Sequence, residues 1–425
     1  MTDRTDRTDR TPRTDQATVA TGDVRLKRAL GLPGLTLFGL AYLVPLTVFT
    51  TYGVVTELTG GRVALAYVFT LAAMLFTALS YGRMVEAFPV SGSAYTYTSK
   101  AFGPQAGFLS GWALMLDYVV TVAVQVAAGT AALGIFFAFW SWIGYETTAV
   151  YGEESKDPKR IVPQATLMAV IGLGVFYVLV SWLVIAGNGA DQAVAVSRGS
   201  TGNSFDVFLD LTRANLGGPS EKIYEILACT GSFACAMAFH NAASRYLYAF
   251  GREGIISPLG RTHGVHKSPH VASITQSVIT LAITLGFFWL QSPTETAPDV
   301  FYFYQYGLLA LLGTMALLIV QTICSVAVVC YFHVGGNHPE SAHWFRTLTA
   351  PVLGAIGMAY VVYLLFDNLT FAAGAASGSP VFTATPYIVL GTFVLGVAGA
   401  LALRAWAPEI YERTGRVVMD DAGAR

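Results

Sequence analysis

Phe136-Phe-Ala-Phe-Trp140-Ser-Trp-Ile143-Gly144-Tyr-Glu146-Thr-Thr-Ala-Val-Tyr-Gly-Glu153-Glu154-Ser-Lys156-Asp-Pro-Lys159-Arg160 is an apolar, aromatic run of membrane-spanning character with a glycine and a carboxylate in its middle. It ends in a dense cluster of charge. An ionisable group at membrane depth costs about 2.5–3.5 kcal/mol on insertion scales, and such groups generally face a cavity or a pathway. A glycine beside one lets the helix break, so that backbone carbonyls become available to a ligand. The stretch reads as the gate helix of a transporter.

The rest of the chain supports a membrane setting. Its 425 residues are 54% hydrophobic and 12% charged, against about 25% charged residues in ordinary soluble domains. So little charge cannot cover a globular surface in water, but it suits one that faces lipid. The net charge of −1 gives no global field that would attract nucleic acid. The class is an all-α polytopic membrane protein embedded in the lipid bilayer. Cys229, Cys235, Cys324 and Cys330 all fall in apolar segments and read as small buried hydrophobes, with no disulfide framework or zinc spacing.

About 20 mostly apolar residues are needed for a spanning helix. Ten such segments occur, at roughly 36–58, 63–82, 104–127, 131–150, 163–187, 224–250, 271–290, 300–331, 348–366 and 385–405. The transmembrane domain is placed at 31–405. Before it, residues 1–30 open on a Thr-Asp-Arg repeat with almost nothing to bury and read as a disordered tail. Residues 406–425 form a second tail. With both termini cytoplasmic, most Lys and Arg fall on the inner side, and the outer side receives only Arg62, Arg198, Arg213 and Lys222. The expected location is the cell (cytoplasmic) membrane. From Gly107 to Gly152 no hydrophilic break occurs, although the stretch is far too long for one crossing. Ala127–Thr130 is the one plausible turn within it.

Several blocks together resemble a known family. They are Phe38-Gly-Leu-Ala-Tyr-Leu-Val-Pro45-Leu46-Thr47-Val-Phe49, Thr77-Ala-Leu-Ser-Tyr-Gly-Arg83, Phe88-Pro-Val-Ser-Gly-Ser-Ala-Tyr-Thr-Tyr97 and Gly107-Phe-Leu-Ser-Gly-Trp-Ala-Leu-Met-Leu-Asp117-Tyr118. The gate segment follows, then Ser244-Arg245-Tyr-Leu-Tyr-Ala-Phe-Gly-Arg252-Glu-Gly254. This pattern is similar to the amino acid–polyamine–organocation permease superfamily, and the first three blocks look closest to its putrescine-importer-like branch. The resemblance implies a LeuT-type fold: two inverted five-helix repeats, with the first and sixth helices unwound around the substrate. On that template the gate segment corresponds to helix 6, and helices 4 and 5 have no counterpart. About ten spanning helices then remain, and the first repeat is incomplete.

The resemblance also implies a site. Trp140 matches a gating aromatic, Ile143 the unwound backbone and Glu146 an inner-gate carboxylate, as in arginine/agmatine exchangers. From the residues themselves, unwinding at Gly144 would free carbonyls for a substrate ammonium, and Trp140 could stack on a cationic or apolar substrate. Trp140 and Trp142 as interfacial anchors and Glu146 as a buried structural partner are the plainer reading. Pro45, with Leu46 and Thr47, breaks the first helix opposite, where the family commonly has Gly-x-Gly-Ile-Phe. An ordinary proline kink is the alternative there. Fewer free amides at this break favour an amine or polyamine over an α-carboxylate.

Asp117 either binds a substrate amine or bonds neighbouring helices. His240 either relays protons or serves as a hydrogen-bonded structural group. Arg245 snorkels or pairs with an inner carboxylate such as Glu146 or Asp117. His263, His266 and His270 read as a solvated loop. No Walker loop, dinucleotide fingerprint or zincin motif occurs, so no cofactor, metal or enzymatic chemistry is implied. The expected function is secondary transport of amino acids or polyamines such as putrescine, coupled to H+. A non-transporting remnant or substrate-binding sensor is the competing expectation, because two helices are missing. Substrate, direction and oligomeric state are not fixed by the sequence.

Overall fold

The computed structural model describes residues 29–413, leaving out 44–47, 49–51, 89–92, 121–137, 139–140, 143, 200–205, 291–299, 336–341, 368 and 370–379. Among the described residues the chain is helical throughout, with no β-strand and one isolated bridge between Leu30 and Ser155.

The chain enters through α1 (Leu32–Tyr42), which starts with proline in its first turn, where a missing N–H costs nothing. Eleven residues at about 1.5 Å each cross only about half of a 30 Å hydrocarbon core. Helix α2 (Tyr52–Thr59) follows, then α3 (Val63–Ala87), a short α4 (Ser93–Phe102) and α5 (Pro104–Val120). One helical turn, α6 (Thr147–Val150), leads into the long α7 (Pro158–Asn188), which again opens on a proline. Two short helices, α8 (Ala190–Gly199) and α9 (Asp206–Leu216), precede α10 (Gly218–Arg252). The chain closes with α11 (His270–Leu290), α12 (Val300–Val329), α13 (Ala350–Asp367), α14 (Pro380–Trp406) and α15 (Pro408–Arg413).

Seven helices among the described residues are long and apolar enough to cross a membrane. The other three sequence segments do not appear as unbroken spans. Residues 36–58 carry α1 and α2, with 44–47 and 49–51 outside the described residues. In the 131–150 segment, residues 141–142 and 144–146 are turns ahead of α6, and 131–137, 139–140 and 143 lie outside the described residues. In the 104–127 segment α5 ends at Val120 and the remainder, including the turn at Ala127–Thr130, lies outside the described residues.

Helices α3 and α7 pack along each other, with α1 against α7 and α10. Helix α12 packs on α13, α5, α4 and α14, and α11 lies against α10. The core is rich in aromatic side chains: Tyr42, Tyr67, Tyr81, Tyr97, Trp142, Tyr145 and Tyr177 are all fully buried. Leu179, Trp182 and Leu183 on α7, Ile274, Val278 and Trp289 on α11, and Leu390, Val394 and Leu395 on α14 all point outward. An apolar exterior over a polar-studded interior is the arrangement lipid requires. Cys235, Cys324 and Cys330 are at least partly buried, but Cys229 is exposed on α10, which corrects its reading as a buried hydrophobe. A thiol among outward-facing Ile226, Leu227 and Phe233 needs no protein partner in an apolar medium.

Candidate functional site

The site is built where α1 and the gate segment stop being helical. At the end of α1 the Leu43 N–H donates to Gly39 O. Side chains on other helices reach the last carbonyls of α1. Cys235 Sγ on α10 lies 3.9 Å from Tyr42 O, and Tyr177 OH on α7 donates to Leu43 O at 3.0 Å. The same phenol lies 3.1 Å from Ser141 O in the gate segment. One side chain therefore touches backbone carbonyls at both interruptions.

On the gate side, Gly144 has φ +110°, a conformation closed to residues with a side chain. A Cβ there would lie 1.6 Å from Cδ1 of Tyr42, so the two interrupted segments meet with no room between them. Tyr42 is held in place by Phe239, with ring centroids 4.0 Å apart. After Gly144 the chain recovers one helical turn, and Thr147 Oγ1 donates to Gly144 O at 2.6 Å. Thr148 and Thr166 join hydroxyls at 2.5 Å, tying that turn to α7.

Glu146 is completely buried. Its Oε2 accepts from the Gly144 N–H at 3.2 Å and lies 3.4 Å from Gln321 Nε2 on α12. Tyr145 beside it is edge-on to Tyr81, and Tyr81 to Tyr97, at 5.4 and 5.6 Å. The carboxylate thus sits among phenols, an amide and a backbone N–H.

Of the residues singled out from sequence, Gly144 and Glu146 fall in this centre. Pro45, Leu46, Thr47, Trp140 and Ile143 lie outside the described residues, as does the side chain of Asp117, whose backbone belongs to α5. His240 is about 20 residues into α10, where its Nε2 is 3.2 Å from Ser273 O and 3.0 Å from Ser277 Oγ of α11. Those bonds fit the structural reading of that histidine.

Arg245 pairs with neither Glu146 nor Asp117 among its described partners. It forms a two-pronged bond with Glu154, Nε to Oε1 at 2.5 Å and Nη2 to Oε2 at 3.0 Å. Its guanidinium lies 4.2 Å from the centre of the Tyr151 ring. The sequence offered Glu146 because it shares the gate segment. The chain instead turns after Val150, so Glu154 and not Glu146 comes level with α10. Arg252 forms a parallel pair with Glu153 at 2.8 Å, and Tyr95 bonds Glu253. The backbone at Ala29 and Leu30 joins this cluster, donating to Glu154 O at 2.9 Å, while Lys156 N donates to Leu30 O. This end of the gate segment is latched to α10 and to the entry of α1.

Trp142, one of the candidate interfacial anchors, is buried between α3 and α7. Its Nε1 donates to Thr70 Oγ1 at 3.0 Å and its ring is edge-on to Tyr177 at 5.6 Å. His263 and His266, in an exposed loop, stack their rings at 4.9 Å, and His263 meets half-buried His270 at the start of α11 edge-on at 5.7 Å. Sequence reasoning missed Tyr177, Tyr67, Thr70 and Gln321. Gln321 was open to discovery, as a polar side chain in the apolar run of α12. A tyrosine in an apolar helix carries no such signal.

Comparison with known proteins gives two matches described as amino acid permease, one over residues 126–395 and one over residues 34–143. The first alone covers well over half of the chain. Among individual relatives, the low-affinity putrescine importer PlaP of Escherichia coli (strain K12) is 46% identical over 109 residues, 26% of this chain. The chain spans only 24% of that importer's length. The branched-chain amino acid permease BcaP of Bacillus subtilis (strain 168) is 22% identical over 82% of this chain and 89% of its own length. That alignment extends over 449 positions, more than the 425 residues of the chain, so part of BcaP stands opposite gaps here. The aromatic amino acid transport protein AroP of Corynebacterium glutamicum is 31% identical over 26% of this chain and 24% of its own. Seven apolar spans, a strand-free helical bundle and these matches fit an all-α polytopic membrane protein of LeuT-type architecture, and the chain belongs to the amino acid permease family.

Proposed function

We propose that this chain is a secondary transporter of amino acids or polyamines such as putrescine, working by alternating access in the cell membrane with both termini cytoplasmic. The observation that carries the reading is the meeting of two interrupted segments at Gly144 and Tyr42, beside the buried Glu146. Carbonyls released from a helix inside a bilayer attract an ammonium group. Glu146 supplies a group able to take up a proton there. The named relatives, a putrescine importer and amino acid permeases, support the same two substrate classes.

Alternating access requires a closure on each side that can open. The pairs Arg245–Glu154 and Arg252–Glu153 supply such a closure at the end of the gate segment that meets Ala29 and Leu30. Ion pairs at the edge of the membrane hold when dry and weaken when water enters, which suits a gate.

The decisive test is uptake of radiolabelled putrescine and a panel of amino acids into proteoliposomes, with and without an imposed proton gradient. No flux of any panel member from correctly folded protein sinks the reading. A second reading, a substrate-binding sensor or remnant without transport, is favoured by the gaps against BcaP, which are what absent helices 4 and 5 would leave. Ligand-induced thermal stabilisation with no flux supports the sensor. Absence of both binding and flux supports the remnant.

A further inference from the structure

We propose that the outward face of α3, between α7 and α13, binds an anionic phospholipid, with Arg83, Arg160 and Arg346 around the phosphate and apolar side chains along the acyl chains. This inference rests on the membrane setting of the chain and is independent of the transport reading.

Two close approaches fix how the three helices stand. Leu71 of α3 faces α7, where a Cβ on Gly174 would come 2.3 Å from Leu71 Cδ1. Ala73 of α3 faces α13, where a Cβ on Gly357 would stand 3.7 Å from Ala73 Cβ. Positions two residues apart are about 200° apart around a helix, so α7 and α13 flank opposite sides of α3. One of the arcs left between them carries buried Tyr67, Met74 and Tyr81 and faces the core. The other carries Leu65, Phe69, Ala72, Phe76 and Arg83, all at least partly exposed and spaced by three, four or seven residues along one stripe. Outward Ile171 on α7 and Leu353 on α13 extend the apolar surface to either side.

The stripe ends in charge drawn from all three helices. A Cβ on Gly82 would lie 3.4 Å from Pro163 Cβ, so the end of α3 stands level with the start of α7. Arg83 follows Gly82, and Arg160 lies about one turn before Pro163. Arg83 gives one of its N–H groups to Glu86 at 2.5 Å and keeps the others. On the far flank, the helical stretch Trp344–Thr349 leads into α13 and meets α3 where the Phe345 ring lies 6.4 Å from that of Phe76. The next residue, Arg346, is held by its backbone N–H, which donates to His343 Nδ1 at 3.3 Å, while the residue itself is exposed. Arg160 and Arg346 have no ion-pair partner among the described residues. Lys159 adds a fourth cation, and Glu86 and Asp157 offset only part of the charge.

Guanidinium groups match phosphate oxygens with paired hydrogen bonds. Basic pockets between membrane helices take anionic headgroups for that reason. The apolar stripe that continues from the charge for about three turns selects a lipid over a free phosphate, which would leave it uncovered. Trp344, 69% exposed beside Arg346, suits the boundary between headgroups and acyl chains.

Native mass spectrometry of the full chain in detergent, titrated with phosphatidylglycerol or phosphatidylcholine, tests the assignment. The wild-type protein should bind phosphatidylglycerol at least about 10-fold more tightly, and each arginine changed to glutamine should reduce that preference by up to about 5-fold. Arg83→Gln, Arg160→Gln and Arg346→Gln together should therefore remove it. Arg261→Gln with Arg404→Gln, at exposed arginines on other elements, should leave it intact. No preference in the wild-type protein overturns the proposal, and so does an equal loss in the control pair. Displacement of the lipid by equimolar glycerol 3-phosphate would mark a free-phosphate site and overturn the lipid assignment. Should the triple variant not fold, a photoactivatable phosphatidylglycerol on the wild-type protein should label residues 65–83 and 160–171, and labelling confined to other segments overturns it.

Discussion

Replacing Gly144 by alanine should collapse the centre of this protein, and the structure says by how much. The added Cβ would stand 1.6, 2.3 and 2.8 Å from Cδ1, Cε1 and Cγ of Tyr42, where ordinary contact begins at 3.4 Å. The ring would have to retreat by nearly two ångströms. It cannot do so cheaply, because it is buried against Phe239 at 4.0 Å. Overpacking of this kind costs about 1–3 kcal/mol. The backbone adds a second cost, since φ +110° is closed to alanine and such strain is worth about 1–3 kcal/mol. Together they remove about 4 kcal/mol, a large part of the 5–15 kcal/mol that holds a typical domain. Thermal stability in detergent, followed by fluorescence-detected size exclusion, measures the loss. Tyr42→Leu in the same chain should restore the packing half and leave the backbone half. A Gly144→Ala protein as stable as wild type would refute the reasoning, and so would a loss that Tyr42→Leu does not relieve at all.

Other expectations follow from the same geometry. Arg245→Ala should cost about 3 kcal/mol, because it leaves Glu154 largely buried without its two-pronged partner; exchanging the charges with Arg245→Glu and Glu154→Arg should recover part of the thermal stability, and a swap no better than either single variant counts against the latch. Trp142→Phe should cost about 1 kcal/mol through loss of the bond to Thr70, with little further loss on adding Thr70→Val, as a double-mutant cycle in melting temperature would show. Glu146→Gln should abolish the response of uptake to an imposed proton gradient while substrate exchange continues. Uptake that still follows the gradient would remove Glu146 as the proton site.

Much of this protein was legible before any coordinates. Low charge and repeated apolar runs of about 20 residues require a membrane, and a membrane requires helices. Gly144 and Glu146 announced themselves because each is out of place in an apolar span. The family was visible in ordered blocks from Phe38 to Gly254. That the gate segment faces the first helix was expected; which particular side chains bond across the segments was not. Arg245 was read as snorkelling or pairing with an inner carboxylate, with Glu146 and Asp117 as examples, and its partner is Glu154; Trp142 was weighed as an interfacial anchor when it is a buried donor to Thr70.

The sequence determined what kind of solvent surrounds this chain, because solvent preference is a property of composition summed along each segment. It also determined where the backbone can yield, because glycine carries its freedom locally. Only the tertiary structure decided which groups answer the carbonyls exposed at those places. Tyr177 reaches Leu43 and Ser141 from a third helix, and Gln321 reaches Glu146 from a fourth. A hydrogen bond depends on positions within a few tenths of an ångström, and those are set by how whole helices pack.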